Sequence, residues 1–113
     1  MTDIIAKNFS DNAQPRIFLD GSKRTTIVLR TMIIGRGEYL PGWQWSKHAG
    51  AQTGKSSQAH IGFVLSGQMA VKVADGTRIT VDPNQGFEAG PGHDAWVVGN
   101  EPCVALDFEY KQF

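Results

Sequence analysis

The sequence lacks several features on which large classes of protein depend. Its single cysteine, Cys103, has no partner for an internal disulfide bond. The 11 Lys and Arg residues balance the 11 Asp and Glu residues, so no long-range field attracts a polyanion such as nucleic acid. No apolar run is long enough to span a bilayer, and the N-terminus shows no signal-peptide pattern. These absences predict a cytoplasmic protein that binds neither nucleic acid nor membrane.

The surroundings of the one cysteine do not favour a catalytic thiol. Cys103 begins an alternating segment, residues 103–108, in which nothing next to it would lower the thiol pKa. Free cysteine is also among the most frequently buried residue types. The pattern therefore predicts a buried, inert side chain.

Turns are what the sequence has in abundance. Its 13 glycines and 5 prolines separate short runs rich in valine, isoleucine, threonine and aromatic residues, which is typical of strands joined by tight turns. A chain of 113 residues has room for one core. No helix of three turns is needed anywhere. The predicted strands are residues 16–19, 25–34, 42–48, 60–65, 69–74, 77–81, 95–98 and 103–109.

The clearest turn is Asp75-Gly76, because glycine supplies the positive φ that a tight hairpin requires. Repeated short strands favour a closed barrel or sandwich, since closure removes unpaired edges. Residues 1–15 are polar and are predicted to form an N-terminal arm or tail, with residues 16–113 as the single domain. Residues 49–58 are predicted to be a loop, either functional or a plain surface excursion.

One segment of the chain carries the first half of a family motif. The motif begins with a glycine, five residues and a histidine, and this chain has Gly42 and His48 at that spacing. A second histidine is expected two residues later, where this chain has Gly50. A glutamate then precedes a glycine by seven positions, and here His60 precedes Gly67. The segment resembles the cupin superfamily, which implies an antiparallel β-barrel of jelly-roll type, a double-stranded β-helix.

A second segment resembles the other cupin motif, which has a Pro-x-Gly turn, two residues and a histidine. With Gly92 aligned on that turn, the histidine position is Ala95. His93 lies two residues earlier and would face the same side of a strand. Residues 41–46 and 92–99 further resemble one bacterial subgroup of cupins, which implies no particular substrate.

The resemblance implies a metal inside the barrel. The only histidines in the chain, His48, His60 and His93, fall on or beside the positions where the family has metal ligands. Three neutral imidazoles leave an open coordination position on a divalent metal such as zinc, iron, nickel or copper. The predicted metal site is therefore this set of three. An imidazole in a polar barrel is also satisfied by hydrogen bonds alone, so a barrel without metal remains the alternative.

Three carboxylates are candidates for a fourth ligand or for a hydrogen bond that orients an imidazole. They are Glu38, Glu88 and Asp94. Glu88 alternates with its neighbours so as to face solvent, and Asp94 follows a turn where it can accept hydrogen bonds from its own backbone. Of the three, Asp94 is the better candidate because His93 is adjacent.

Aromatic side chains are predicted to line the pocket. Trp45, Trp96 and Phe63 offer large rigid surfaces. On the predicted strand 42–48, Trp45 shares a face with Trp43 and lies opposite to His48. If His48 points inward and no bulge intervenes, both tryptophans point outward and a homodimer would cover them.

Two functions follow from these patterns. The first is a metal-dependent enzyme that acts on a small molecule inside the barrel through the three histidines. The second is a binding or sensing module that holds a small ligand without metal or turnover. The sequence leaves enzyme or binding protein undecided, because one barrel fold hosts many functions.

Overall fold

The computed structural model of the chain describes residues 4–11, 14–54 and 57–111. Across these residues nine β-strands dominate, with helical structure confined to short segments. The strands are β1 Arg16–Ile17, β2 Lys23–Val28, β3 Met32–Tyr39, β4 His60–Ser66, β5 Met69–Lys72, β6 Arg78–Val81, β7 Gly86–Ala89, β8 Asp94–Val97 and β9 Cys103–Tyr110. The helical segments are a 3-10 turn at Phe9–Asp11, a π-helix at Ser46–Gly50 and one α-helical turn, α1, at Ala51–Thr53.

The strands form two antiparallel sheets. The larger has six strands in the order β1-β2-β3-β9-β4-β7, and the smaller has three in the order β6-β5-β8. Non-consecutive neighbours such as β3 and β9 bring distant parts of the sequence together, as a jelly roll requires. The predicted all-β, antiparallel architecture is confirmed.

Alternation along the strands defines the interior. Every second residue is buried in β3 from Gly35 to Tyr39 and in β9 from Cys103 to Asp107. The three-stranded sheet contributes Val71 and its neighbours from the opposite side. Because successive side chains in a strand point to opposite faces, one set from each sheet faces the shared interior.

The predicted hairpin is present between β5 and β6. Gly76 has a φ of 94°, and its N–H donates to the carbonyl of Val73 at 3.0 Å. The Asp75 carboxylate accepts a hydrogen bond from the backbone N–H of Thr77 at 2.8 Å. Local chemistry alone therefore places this turn correctly.

One predicted strand is a hairpin in the structure, and one observed strand was not predicted. The single strand predicted over 25–34 is a hairpin, in which the N–H of Leu29 donates to the carbonyl of Met32 at 2.9 Å. No glycine or proline marks that turn, so the alternating pattern runs straight through it. The prediction also omitted β7, a four-residue strand that begins at Gly86 and is followed by Gly90, because its short pattern resembles a loop.

The strand predicted over residues 42–48 was wrong. Gln44 makes only an isolated bridge to Trp96, and the π-helix begins at Ser46. The N–H of His48 donates to the Gln44 carbonyl at 2.9 Å, which is a helical pattern. Since the chain coils here, face alternation does not apply. Trp43 is buried in the core rather than turned outward.

The N-terminal region before β1 is described over residues 4–11 and 14–15. Lys7 Nζ donates to the carbonyl of Val28 at 2.8 Å, so this part lies against β2. The division at residue 15 stays a prediction, and residues 1–3, 12 and 13 lie outside the described residues. Within the described ranges, no helix is long and apolar enough to cross a membrane.

Candidate functional site

A cavity of about 740 Å³ lies between the two sheets. Its walls combine charged, imidazole and aromatic side chains, notably Arg24, Asp107, His60, His93, Trp43 and Phe87. The volume falls within the roughly 300–1,000 Å³ typical of small-molecule sites. The barrel interior is therefore open enough to hold a ligand.

A buried ion pair forms part of the cavity wall. Arg24 of β2 donates from Nε to Asp107 Oδ2 at 2.8 Å and from Nη2 to Oδ1 at 2.5 Å. The Asp107 side chain is only 6 % exposed. The hydrogen bonds that Arg24 donates to Asp107 are the main reason that the Arg24 pKa is raised, and burial opposes them. Arg24 is therefore a fixed cation whose charge is matched by its partner.

Glycines make room for this pair. Asp107 lies directly opposite Gly35 on β3 and Gly62 on β4. A Cβ at Gly35 would lie 2.5 Å from Arg24 Nε and 2.6 Å from Asp107 Oδ1. A Cβ at Gly62 would lie 2.5 Å from the ring of Phe87. Glycine, which has no side chain, therefore occupies the two positions where a Cβ would clash with the ion pair or with the Phe87 ring.

His93 is buried, and its ring is oriented by hydrogen bonds. Its Nδ1 lies 2.9 Å from the carbonyl of Gly90, which only accepts, so the ring donates from Nδ1. Ser57 Oγ donates to the backbone carbonyl of His93 at 2.6 Å and lies 3.4 Å from Nδ1. In the neutral ring, this tautomer leaves Nε2 as an acceptor.

His60 lies beside His93 in the cavity wall. Their ring centroids are 5.7 Å apart, and the His60 ring stacks on Phe87 at 5.9 Å with an interplanar angle of 20°. Burial is the main cause that lowers the pKa of His60, and nearby Asp107 opposes it. The neutral imidazole is the favoured form at neutral pH.

His48 is not part of this group. It lies on the π-helix, does not line the cavity, and its Nδ1 accepts a hydrogen bond from the N–H of Gln44 at 3.0 Å. The structure thus brings His60 and His93 together and leaves His48 apart. Across the described ranges, no group of three or more His, Cys, Asp and Glu side chains is placed to hold a metal ion. The donor set present does not fit the predicted three-histidine metal site.

Asp94 fastens the π-helix to β8 instead of lining the cavity. Its carboxylate accepts hydrogen bonds from Gln44 Nε2 at 2.6 Å, from Ser46 N and Oγ at 3.0 and 2.8 Å, and from the N–H of Ala95 at 2.9 Å. Burial raises its pKa, and these hydrogen bonds outweigh burial to lower it overall. Of the hydrogen bonds that the Asp94 carboxylate accepts, only the one from Ala95 comes from the adjacent backbone, as the sequence predicted; the others come from Gln44 and Ser46.

The other predicted carboxylates and aromatics divide between cavity and surface. Glu38 forms ion pairs with Lys23 and Arg36, and Glu88 is exposed. Trp45 lines the cavity as predicted. Two predicted pocket residues, Trp96 and Phe63, do not line it.

Trp43 and Cys103 are two further buried residues of the interior. The Nε1 of Trp43 is buried and has no hydrogen-bond partner among the described residues. Cys103 is fully buried, and burial raises its pKa to about 11. The thiol is therefore protonated at neutral pH, in agreement with the predicted inert cysteine.

The sequence analysis did not predict the Arg24–Asp107 ion pair, although the pattern of β9 indicates that Asp107 is buried. Asp107 continues the inward-facing series that begins with Cys103 and Ala105. A carboxylate in a buried series needs a partner, because an unpaired buried charge is costly. The partner, Arg24, is 83 residues away and only the sheet order reveals it.

No protein-family model and no curated protein sequence matches the chain. Solved structures do match. A protein of unknown function from Vibrio parahaemolyticus superposes with a TM-score of 0.65 at 15% identity, over 84% of this chain and 95% of that one. KdgF from Halomonas sp. gives 0.64 at 17% identity, over 88% and 87%. A sugar phosphate isomerase of the cupin superfamily from Silicibacter pomeroyi gives 0.68 at 13% identity, over 91% and 74%.

Similarity at this level of identity shows the fold alone. The protein has a cupin-like fold, as the two sequence segments predicted, with a cavity between its sheets. The chemistry must be argued from the residues that line that cavity.

Proposed function

We propose that this protein binds a small polar molecule inside the barrel, with His60 and His93 as polar contacts and no metal required. One observation carries the proposal: two adjacent imidazoles share a cavity wall with the matched Arg24–Asp107 pair. Ligand sites use a few converging polar groups to orient the ligand, and this cavity combines such groups with aromatic side chains. The solved structure named as a sugar phosphate isomerase is consistent with a small-molecule ligand but does not identify it.

The two imidazoles in the cavity favour a metal-free binding protein over a metal-dependent enzyme. His60 and His93 would serve as two imidazole ligands, whereas a catalytic zinc site generally uses three protein ligands. His48 is engaged elsewhere by the N–H of Gln44. Protein purified without a histidine tag should contain no stoichiometric zinc, iron, nickel or copper. Stoichiometric metal that disappears in His60→Ala would overturn the metal-independent proposal.

Binding itself is tested by a ligand-observed NMR screen of small hydroxylated, carboxylated and amide compounds. Cavity ligands should lose about tenfold or more in affinity, equivalent to about 1.4 kcal/mol, in His60→Gln. The matched control is His48→Gln, which alters a histidine outside the cavity and should leave affinity unchanged. Thermal unfolding of both variants checks that they fold. Ligands that bind both variants equally, or the absence of any ligand, would contradict the proposal.

The predicted homodimer is part of the same proposal. Ile61 and Leu65 of β4 are 46 % and 41 % exposed on the face of the six-stranded sheet away from the cavity. A symmetric copy would bury these side chains. Light scattering should show a dimer that Ile61→Lys dissociates, while Ile79→Lys on the other sheet leaves it intact. A monomeric wild-type protein would refute the dimer.

A further inference from the structure

The charged side chains that line the cavity do not balance. Among the described lining residues the cations are Arg16, Arg24 and Lys111, and the carboxylates are Asp107 and Glu109. His60 adds no charge at neutral pH, because burial lowers its pKa. Charges on the walls of a cleft set the local potential even where the whole chain is neutral. The excess of one positive charge favours an anion as the occupant.

Arg16 faces the cavity directly beside Arg24. The two arginines are opposite each other in the register of β1 and β2, and residues directly opposite in an antiparallel pair share a face. Like charges in such a position are unfavourable. Arg24 is matched by two hydrogen bonds to Asp107, whereas none of the ion pairs among the described residues includes Arg16. On this side of the cavity, the unmatched positive charge is therefore that of Arg16.

The remaining carboxylate of the lining, Glu109, lies far from Arg16 along the sheet. The cross-strand row that contains Arg16 reaches β9 at Ala105. Glu109 is further along β9 by about 13 Å of extended strand, and β9 is separated from β1 by about 14 Å across the sheet. Lys111 lies further still in the same direction. An anion at Arg16 would therefore not be opposed by Glu109.

An aromatic ring holds the Arg16 guanidinium without using its hydrogen-bond donors. Arg16 Cζ lies over the ring of Phe18, 4.7 Å from its centroid. This cation–π contact involves the π face, so it consumes no N–H group of the guanidinium. Phe18 is buried, and its ring centroid lies 6.0 Å from that of Tyr39 and 5.7 Å from that of Trp43. The guanidinium thus rests on a packed aromatic cluster with donors available to a ligand.

The geometry of a guanidinium and the size of the charge excess point to one kind of anion. A planar guanidinium can donate two parallel hydrogen bonds to a carboxylate. A carboxylate carries one negative charge, which equals the excess in the lining. A phosphate monoester carries about 1.5 to 2 negative charges at neutral pH and would exceed it.

We infer that the cavity takes a small organic monocarboxylate and that Arg16 of β1 binds its carboxylate group. The inference rests on the proposed function that the cavity binds a small polar molecule, and it adds the charge of that molecule and the residue that recognises it. A neutral compound of the same shape would lose the contact with Arg16.

The test titrates the ¹⁵N-labelled full chain with sets of related small molecules that differ chiefly in one group. Each set holds a carboxylate, its primary amide and a phosphate ester. The sets are benzoate, benzamide and phenyl phosphate; butyrate, butyramide and propyl phosphate; and D-glucuronate, D-glucuronamide and D-glucose 6-phosphate. Every compound that binds in the ligand-observed screen is added with its carboxylate or amide counterpart. The backbone amides of β1 report on the site, and those of β6, which does not line the cavity, are the internal control.

We expect at least one carboxylate to shift the β1 amides in a saturable manner and to bind more tightly than its amide and its phosphate counterpart. Arg16→Gln should weaken that carboxylate about tenfold and leave the amide unchanged. Arg16→Lys keeps the charge but loses the planar fork, so it should weaken binding about threefold. Lys23→Gln is the matched control, since it removes a positive charge opposite Ile17, outside the cavity, and should have no effect. Thermal unfolding checks that each variant folds.

Every other outcome decides against the inference. Amides that bind as tightly as their carboxylates, or phosphates that bind more tightly, overturn the ligand class and leave the proposed function standing. Equal affinities of Arg16→Gln and Lys23→Gln for the carboxylate overturn the role of Arg16. The inference also fails if only neutral compounds bind. Failure of every compound in both experiments overturns the proposed function itself.

Discussion

Arg24 of β2 reaches across β3 to form a two-point hydrogen-bonded ion pair with Asp107 of β9, over the position where Gly35 has no side chain. Gly35 is the direct cross-strand neighbour of Asp107, so the three residues form one unit on the barrel interior. The unit depends on strand order, because β3 lies between β2 and β9 in the sheet.

Removing the carboxylate should strongly destabilise the fold. Asp107→Ala leaves the Arg24 side chain, which is 22 % exposed, without its partner. Loss of one member of a buried pair costs about 3–5 kcal/mol, and we expect about 3 kcal/mol because Arg24 retains some solvent contact. Urea unfolding measures the change.

Lys23→Ala is the matched control on the same strand. Lys23 and Glu38 are 49 % and 37 % exposed, so loss of their ion pair should cost about 1 kcal/mol or less. Equal effects of the two substitutions would contradict the role given to Asp107.

A methyl group at position 35 should disturb the same unit from the neighbouring strand. Gly35→Ala places Cβ 2.5 Å from two nitrogens of Arg24, so the guanidinium must move. Overpacking of this kind costs about 1–3 kcal/mol. Gly86→Ala is the control, because its Cβ would meet its nearest atom at an ordinary 3.6 Å. The prediction is wrong if Gly35→Ala unfolds at the same urea concentration as the wild type.

Loss of the Asp94 carboxylate should free the π-helix. Asp94→Ala removes the acceptor for Gln44 and Ser46, which hold the segment at Ser46–Gly50 against β8. We expect faster amide hydrogen exchange in residues 46–50 and a loss of about 1–3 kcal/mol. Exchange in β9 should change less than in the π-helix. Asp82→Ala, which removes an exposed hydrogen bond with Gln68, should leave the π-helix protected.

Stability should fall in mildly acidic solution through His60. Burial lowers its pKa in the folded state below the ordinary 6.5, so the unfolded chain binds the proton first. The stability is therefore present above about pH 6.5 and is lost as pH falls toward the lower folded pKa. His60→Gln should flatten the dependence of the unfolding free energy on pH between about 7 and 5. Identical slopes for the wild type and variant would exclude His60 as the source.

The sequence alone determined what depends on neighbours along the chain. Strand alternation and glycine punctuation predicted the all-β barrel, Gly76 marked the hairpin between β5 and β6, and the apolar series in β9 predicted the buried Cys103. Each of these results follows from backbone geometry over a few residues, which a linear pattern records directly.

Tertiary structure decided the composition of the site. The family resemblance put His48 among the metal ligands and face alternation put it opposite Trp43 and Trp45, but the π-helix at Ser46–Gly50 replaces the strand on which that alternation depends. The pairing of Arg24 with Asp107 joins residues 83 positions apart, and the approach of His60 to His93 joins β4 to the residue just before β8. Such contacts are set by strand order and register, which local periodicity does not encode.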